Sequence, residues 1–205
     1  FPAKPLGVYG DGGAILTDDA DLAEAMRSIR IHGRGEKGKY DNVRVGTNAR
    51  LDSIQAAVLL QKLDVFAEEL ELRQAVAERY DRDLGALVTT PAVPADAQSA
   101  WAQYTILAPG RDQLAAGLKE HGVPTQIYYR RPLHLQPPYQ HAVTVPGGLP
   151  VTERLAGEVL SLPMYPYLTA EHQDHVERAM HACVGARGQM HACVGARGQL
   201  AQGGA

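Results

Sequence analysis

Residues 1–14 read FPAKPLGVYGDGGA and place one lysine, Lys4, between two prolines. Each proline fixes its own backbone torsion, and Pro5 also disfavours the helical conformation for Lys4. The glycines that follow permit sharp turns, and residues 14–17, AILT, have the pattern of a short buried strand. The stretch therefore predicts a lysine on a stiff, extended segment, where burial would lower the pKa of its amine and make it a Schiff-base nucleophile. The alternative is a solvated surface lysine.

The composition is that of an ordinary globular protein. The chain has 205 residues, of which 45% are hydrophobic and 21% charged, and this length suits one domain or parts of two. The net charge of −3 gives no reason to expect nucleic acid or a membrane surface as a partner. No apolar run approaches the roughly 18 residues of a membrane span. Without a leader or a disulfide framework, we expect a cytoplasmic location.

Apolar periodicity predicts most of the secondary structure. Helices are predicted over residues 19–31, 53–84, 111–121, 151–160 and from Thr169 onward. Strands are predicted over 101–107 and 125–129, so the order after residue 90 indicates a small α/β domain. Residues 33–49 form a long polar loop, which is either functional or a mobile surface loop.

The tail contains a perfect repeat. Residues 180–189 read MHACVGARGQ, and residues 190–199 repeat them without change. Ten residues is shorter than the common repeat units of about 20–50. The two copied His-x-Cys pairs lack the cysteine spacing of zinc sites, so we predict no metal site. A tandem duplication or a sequence error explains the repeat, and we expect the glycine-rich end to be frayed.

Five motifs occur in order along the chain. After the lysine segment come IHG at 31–33, GTNARLD at 46–52, YY followed by PLHLQP at 128–137, and LSLPM at 160–164. In this order the motifs resemble those of the DegT/DnrJ/StrS family of sugar aminotransferases, up to about Ala179. Within that family they are most similar to the branch that aminates the 3-keto group of UDP-N-acetyl-hexuronic acids.

The resemblance implies an α/β fold of the aspartate-aminotransferase type, PLP fold type I. Residues 1–64 would be the C-terminal part of the large PLP-binding domain, 65–89 a connecting long helix, 90–180 the small C-terminal domain, and 181–205 a duplicated, frayed tail. Most of the large domain, with the groups that bind the pyridinium nitrogen and most of the phosphate, would lie upstream of Phe1. A homodimer with a shared active site is expected.

The same resemblance assigns roles to three residues of the first part. Lys4 would hold pyridoxal 5′-phosphate (PLP) as an imine and later act as the base of the proton shift. Asn48 would reach across the dimer to the phosphate of the partner's cofactor, where a neutral amide can donate. Arg50 would bind the acidic group of the sugar, since a planar guanidinium suits a carboxylate. Without the family, Asn48 reads as a turn residue and Arg50 as a solvated arginine.

Further along, the resemblance places Tyr128 and Tyr129 at the substrate site. The hexuronate branch often has His-Tyr there, so Tyr128 is a departure that leaves the identity of the sugar open. Aromatic core packing is the alternative for both tyrosines. Arg130 and Arg131 add positive charge suited to a nucleotide diphosphate, or form a solvated pair. His134 is a weaker substrate-site candidate.

The function implied is PLP-dependent transfer of an amino group, with glutamate as donor, to a keto group of a nucleotide-linked sugar. One alternative is a non-catalytic, truncated or regulatory paralogue of the same fold. The other is a PLP-dependent sugar 3-dehydratase, in which histidine replaces the imine lysine; Lys4 counts against it.

Overall fold

The structure, a computed structural model, describes residues 4–139, 141 and 145–200. The regular elements are α1 (Ala20–Ile29), α2 (Ser53–Leu84), β1 (Tyr104–Leu107), α3 (Arg111–Glu120), α4 (Pro150–Glu158), β2 (Val159–Leu162) and α5 (Ala170–Leu200). Short 3₁₀ turns span Leu133–Leu135 and Pro137–Tyr139. The chain divides into two compact units, Phe1–Glu68 and Glu69–Ala205, and the division falls within α2. The assignment of domains to 1–64, 65–89, 90–180 and 181–205 stays a prediction.

Helix α1 begins directly after its capping residue, Asp19. Asp19 has an extended backbone, and its side chain accepts a hydrogen bond of 3.0 Å from the amide of Leu22. The predicted strand that precedes it, over residues 14–17, is wrong. Ile15 is 74% exposed and Leu16 is 93% exposed, and no strand among the described residues pairs with this segment. A strand needs such a partner for its backbone groups, and apolar composition alone does not supply one.

The loop over residues 33–49 is tied to the end of α1 at its base. The amide of Thr47 donates to the carbonyl of Ile29 at 2.8 Å, and the amide of His32 donates to the carbonyl of Thr47 at 3.0 Å. Gly33 has φ +72, and a Cβ there would lie 1.7 Å from the carbonyl oxygen of Arg44. Only glycine permits this crossing. The loop therefore folds back on the end of α1.

The second unit has one hydrophobic core. Strands β1 and β2 pair antiparallel, with Tyr104 opposite Leu162. The tyrosine hydroxyls in this core have partners: Tyr104 donates to Asp81 at 2.5 Å and Tyr80 to the carbonyl of Pro163 at 3.1 Å. The largest fully buried side chains of this core are Tyr80, Leu84, Tyr104, Ile106, Leu114, Leu118, Val123, Leu160 and Met180. Helices α2, α3 and α5 thus cover a two-stranded sheet through apolar contacts.

The second strand of this sheet differs from the predicted one. The predicted strand over 125–129 contributes one isolated bridge, in which Gln126 and Ser161 exchange two backbone hydrogen bonds of 3.1 and 2.8 Å. The partner of β1 is instead β2, which follows α4 directly. The helix predicted over residues 151–160 overlaps the start of β2. The overlap arises because a short apolar run fits both a helix end and a buried strand.

Helix α5 begins after Thr169, whose hydroxyl accepts a hydrogen bond from the amide of His172 at 3.3 Å. Both copies of the ten-residue repeat lie within α5. The rest of the expected frayed end, residues 201–205, lies outside the described residues. None of the helices in the described part of the chain combines the length and apolarity needed to cross a membrane.

A charged cluster joins α2 to α5. Arg79 on α2 forms ion pairs with Asp174 and, at 2.7 Å, with Glu177, and its Nε lies 3.6 Å from Asp83. The hydrogen bond from Arg79 lowers the pKa of Asp174, whereas burial raises the pKa of Glu177. The two carboxylates contact the same guanidinium, but their pKa values shift in opposite directions because Glu177 is more deeply buried than Asp174.

Candidate functional site

Lys4 lies on an irregular segment, and its side chain is exposed. A few residues further on, Val8 is fully buried and holds this segment to the first unit. Among the described residues, Lys4 forms no ion pair, and it does not line either of the two cavities described below. Its amine is therefore open to a reactant, but the burial that would activate it is not seen. The catalytic role of Lys4 stays a prediction.

A cavity of about 800 Å³ lies in the first unit, between the segment 11–17, α1 and residues 49–51. Its lining includes the arginines Arg27, Arg30 and Arg50 and one carboxylate, Asp11. The Nε2 of Gln55 donates to the backbone carbonyl of Asp11 at 3.1 Å, which ties the glycine-rich segment to α2. The excess of guanidinium groups makes this cavity suited to an anion.

Asn48 and Arg50 are brought together at the edge of this cavity. The Nε of Arg50 donates to the Oδ1 of Asn48 at 2.8 Å, and both side chains are exposed. This bond leaves the amide nitrogen of Asn48 and the terminal nitrogens of Arg50 as donors. The primary amine of Lys4 suits an aldehyde, and the N–H donors of Asn48 and Arg50 suit a phosphate. The residues present are thus compatible with PLP, and their individual roles stay predictions.

A second cavity, of about 600 Å³, lies in the second unit. Tyr128 and Tyr129 line it, with exposed fractions of 39% and 71%, and their rings meet edge to face at 5.6 Å. The alternative of aromatic core packing is therefore wrong for both tyrosines. The remaining lining residues are Arg131, Pro132, Leu133, Gln136, Thr152, Leu155, Ala156 and Val159.

The other predicted residues of this region have different surroundings. The Nε2 of His134 lies 3.1 Å from a carboxylate oxygen of Glu153, and His134 does not line the second cavity. Arg130 donates to Asp112 at 3.0 Å, and its side chain is 63% exposed, so it is solvated and paired with a carboxylate at the same time. Arg131 does line the cavity. The structure thus groups Tyr128, Tyr129 and Arg131 and leaves His134 in a separate contact with Glu153.

Several residues that line the two cavities are not predicted as site residues from the sequence. The sequence predicts a glycine turn and a strand over the segment 11–17, whereas in the structure this segment forms one wall of the first cavity. In the second cavity, Thr152, Leu155 and Ala156 come from α4. Their spacing places all three on one helix face, and this pattern is visible in the sequence. No sequence signal indicated that Gln55 holds the carbonyl of Asp11, because 44 residues separate them.

Comparison with known proteins supports the motif-based resemblance. A UDP-2-acetamido-2-deoxy-3-oxo-D-glucuronate aminotransferase of Pseudomonas aeruginosa is 47% identical over 169 residues, which are 82% of this chain and 46% of that protein. A pleiotropic regulatory protein of Geobacillus stearothermophilus is 47% identical over 180 residues, 86% of this chain and 48% of that protein. The chain thus spans about half the length of the curated relatives it matches.

A solved structure matches in fold as well as in sequence. The crystal structure of a DegT DnrJ EryC1 StrS aminotransferase from Brucella abortus superposes with a TM-score of 0.86 at 51% identity. The match covers 90% of this chain and 49% of that one. The model of the DegT/DnrJ/EryC1/StrS aminotransferase family matches residues 1–181. The resemblance and the expected PLP fold type I are therefore confirmed, and the chain belongs to the DegT/DnrJ/EryC1/StrS aminotransferase family.

Proposed function

We propose that the protein containing this chain transfers an amino group from an amino acid, glutamate, to a keto group of a nucleotide-linked sugar, with PLP as cofactor. The observation that carries this proposal is the exposed Lys4, held between two prolines in a chain of an aminotransferase family. A cytoplasmic location stays part of the proposal.

Three residues would serve the cofactor and the acidic end of the substrate. Lys4 would hold PLP through its Nζ, and Asn48 would donate its amide hydrogens to the phosphate of the partner's cofactor. PLP supplies an electron sink when it is bound. The Nζ of Lys4, once displaced by the amino donor, would then move the proton that amino transfer requires. Arg50 would bind a carboxylate through its terminal nitrogens, because its Nε already donates to Asn48.

The substrate class follows from the same set of residues. The Pseudomonas aeruginosa relative acts on a UDP-linked 3-oxo-glucuronate, as its name states. We propose a nucleotide-linked keto sugar with an acidic group for this protein, with Arg50 as the carboxylate ligand. Tyr128 and Tyr129 would contact the substrate through their rings and hydroxyls in the second cavity. His134 is the weakest candidate, since its Nε2 is paired with Glu153.

A non-catalytic regulatory function is the second candidate. The observation that favours it is the Geobacillus stearothermophilus relative, which is named a pleiotropic regulatory protein and is as similar as the aminotransferase. Lys4 argues for the enzyme, because a regulator needs no Schiff-base amine. A sugar 3-dehydratase ranks below both, since histidine would replace Lys4 there.

Spectroscopy of the full-length protein tests the proposal. Reconstitution with PLP should produce a visible absorbance band that glutamate, but not buffer alone, bleaches with formation of 2-oxoglutarate. Addition of a UDP-linked 3-keto sugar should restore the band, because the amino group leaves on the sugar. A protein that stays colourless with PLP would contradict the aminotransferase proposal and favour the regulatory one.

A shared active site predicts complementation between two inactive variants. Lys4→Ala and Asn48→Ala should each reduce amino transfer strongly, since one lacks the amine and the other a phosphate donor. If Asn48 acts on the partner's cofactor, a mixed heterodimer contains one intact site. An equal mixture that exchanges subunits should then regain about a quarter of the wild-type activity, by the two-fold symmetry of a dimer. No recovery despite proven subunit exchange would place Asn48 in its own subunit's site.

A further inference from the structure

Two adjacent arginines of the second unit have different surroundings. The Nη1 of Arg130 donates to the Oδ1 of Asp112 at 3.0 Å, and the same oxygen accepts from the Nε of Arg111 at 2.9 Å. Arg130 lines a cavity beside α3, together with Lys119. Arg131 lines the second cavity instead. Arg130 thus shares one exposed carboxylate with Arg111 and lines a different cavity from that of Arg131.

Arg131 gives the second cavity its charge. It is the only ionised side chain among the described residues that line this cavity, and no carboxylate is part of the lining. No ion pair of Arg131 occurs in the part of the chain that the structure describes. Its backbone carbonyl accepts a hydrogen bond from the Nε2 of Gln136 at 3.3 Å, so its main chain is held while its guanidinium stays available.

The rest of the cavity suits a flat ring. Tyr128 and Tyr129 present aromatic surface, and the turn after Arg131 and the facing side of α4 add apolar side chains. The volume of about 600 Å³ falls in the range typical of ligand sites, roughly 300–1,000 Å³. A guanidinium beside aromatic rings matches a ligand with an aromatic ring at one end and phosphate oxygens at the other.

We propose that Arg131 binds the phosphate groups of a nucleoside diphosphate in the second cavity, and that Tyr128 and Tyr129 contact the remainder of that nucleotide. Arg130 takes no part in this binding. This inference rests on the proposed function, because the nucleotide would be that of the nucleotide-linked sugar. It goes further by choosing between two neighbouring arginines and by placing the nucleotide end of the substrate.

Calorimetric titration of the PLP-loaded full-length protein with UDP tests the inference, with uridine as the uncharged probe. Arg131→Gln should weaken UDP binding about tenfold or more, since it removes a charged donor to phosphate. The same substitution should leave uridine binding unchanged. The matched control, Arg130→Gln, should change UDP affinity less than about twofold, because exposed ion pairs contribute little. Higher salt should weaken UDP binding to the wild type more than to Arg131→Gln.

The possible results distinguish failure of the Arg131 proposal from failure of the proposed amino transfer. Loss of UDP affinity in Arg130→Gln alone would overturn the role of Arg131, and equal loss in both variants would overturn the choice of Arg131 over Arg130; both results leave amino transfer untouched. A wild type that transfers amino groups but does not bind UDP would overturn it as well. UDP binding that depends on Arg131 in a protein without amino transfer would support the inference while the proposed function fails. If Arg131→Gln does not fold, Arg131→Lys should weaken UDP binding by a smaller factor, and unchanged affinity there would contradict the inference.

Discussion

Replacing Lys4 with alanine should abolish amino transfer and leave the protein without covalently attached cofactor. Alanine provides no amine to hold PLP or to move the proton, so kcat should fall by at least about a thousandfold. The measurement is turnover of a UDP-linked keto sugar by the full-length protein. In the wild type, borohydride reduction followed by peptide mass spectrometry should find the pyridoxyl group on Lys4.

Lys62→Ala is the matched control for Lys4→Ala. Lys62 lies on α2 and has no place in the proposed site, so its removal should leave kcat and the labelling pattern unchanged. A pyridoxyl group on a lysine other than Lys4 would refute the assignment. Turnover that survives in Lys4→Ala would refute the mechanism itself.

Replacing Arg79 with methionine should lower the free energy of unfolding by about 1.5–3 kcal/mol at pH 7, the range for hydrogen bonds to charged groups. The side chain of Glu177 is only 12% exposed, and its second carboxylate oxygen is buried without a hydrogen-bond partner among the described residues. Methionine keeps the apolar stem of Arg79 but leaves a largely buried carboxylate without its counter-charge. Urea unfolding of the wild type and the variant measures the difference.

The pH dependence of this difference has a definite sign. Burial raises the pKa of Glu177 above its ordinary value of 4.5. In Arg79→Met, the ionised Glu177 carboxylate therefore destabilises the fold above that pKa, and this destabilisation disappears as the pH falls through it. Arg79 lowers the pKa of Asp174, so the stability this pair contributes is present above the unfolded-state pKa of Asp174 and is lost on acidification. The Glu177 effect therefore shrinks the difference between Arg79→Met and wild type as the pH falls from 7 towards 4, whereas the Asp174 contribution persists down to the unfolded-state pKa of Asp174 and is lost only below it.

Two further variants check the argument about Arg79. Adding Glu177→Gln to Arg79→Met should recover much of the lost stability, because a neutral amide needs no counter-charge. Arg82→Met should cost less than about 0.5 kcal/mol, since Arg82 is exposed and pairs only with the adjacent Asp83 in the described part of the chain. A difference for Arg79→Met that does not depend on pH, or an equal loss in Arg82→Met, would contradict this account.

Local sequence was enough to predict the features that depend on neighbours along the chain. The capped start of α1 at Asp19 and the start of α2 near Ser53 follow from local capping and periodicity, which operate within one helical turn. The lysine motif and the later motifs identified the family, because each is a short run that can be read in order. The roles of Lys4, Asn48 and Arg50 were predicted in the same way and await the experiments above.

Contacts between residues far apart in the chain depend on the three-dimensional fold. Residues 14–17 have strand composition but no strand beside them, while β2 pairs with β1 across more than 50 residues of sequence. Arg130 and Arg131 are identical in the sequence, yet one reaches a carboxylate on α3 and the other lines a cavity formed with α4. The physical reason is the same in each case: a backbone group or a charge is satisfied by whatever the fold brings within about 3 Å, and local sequence does not encode that partner.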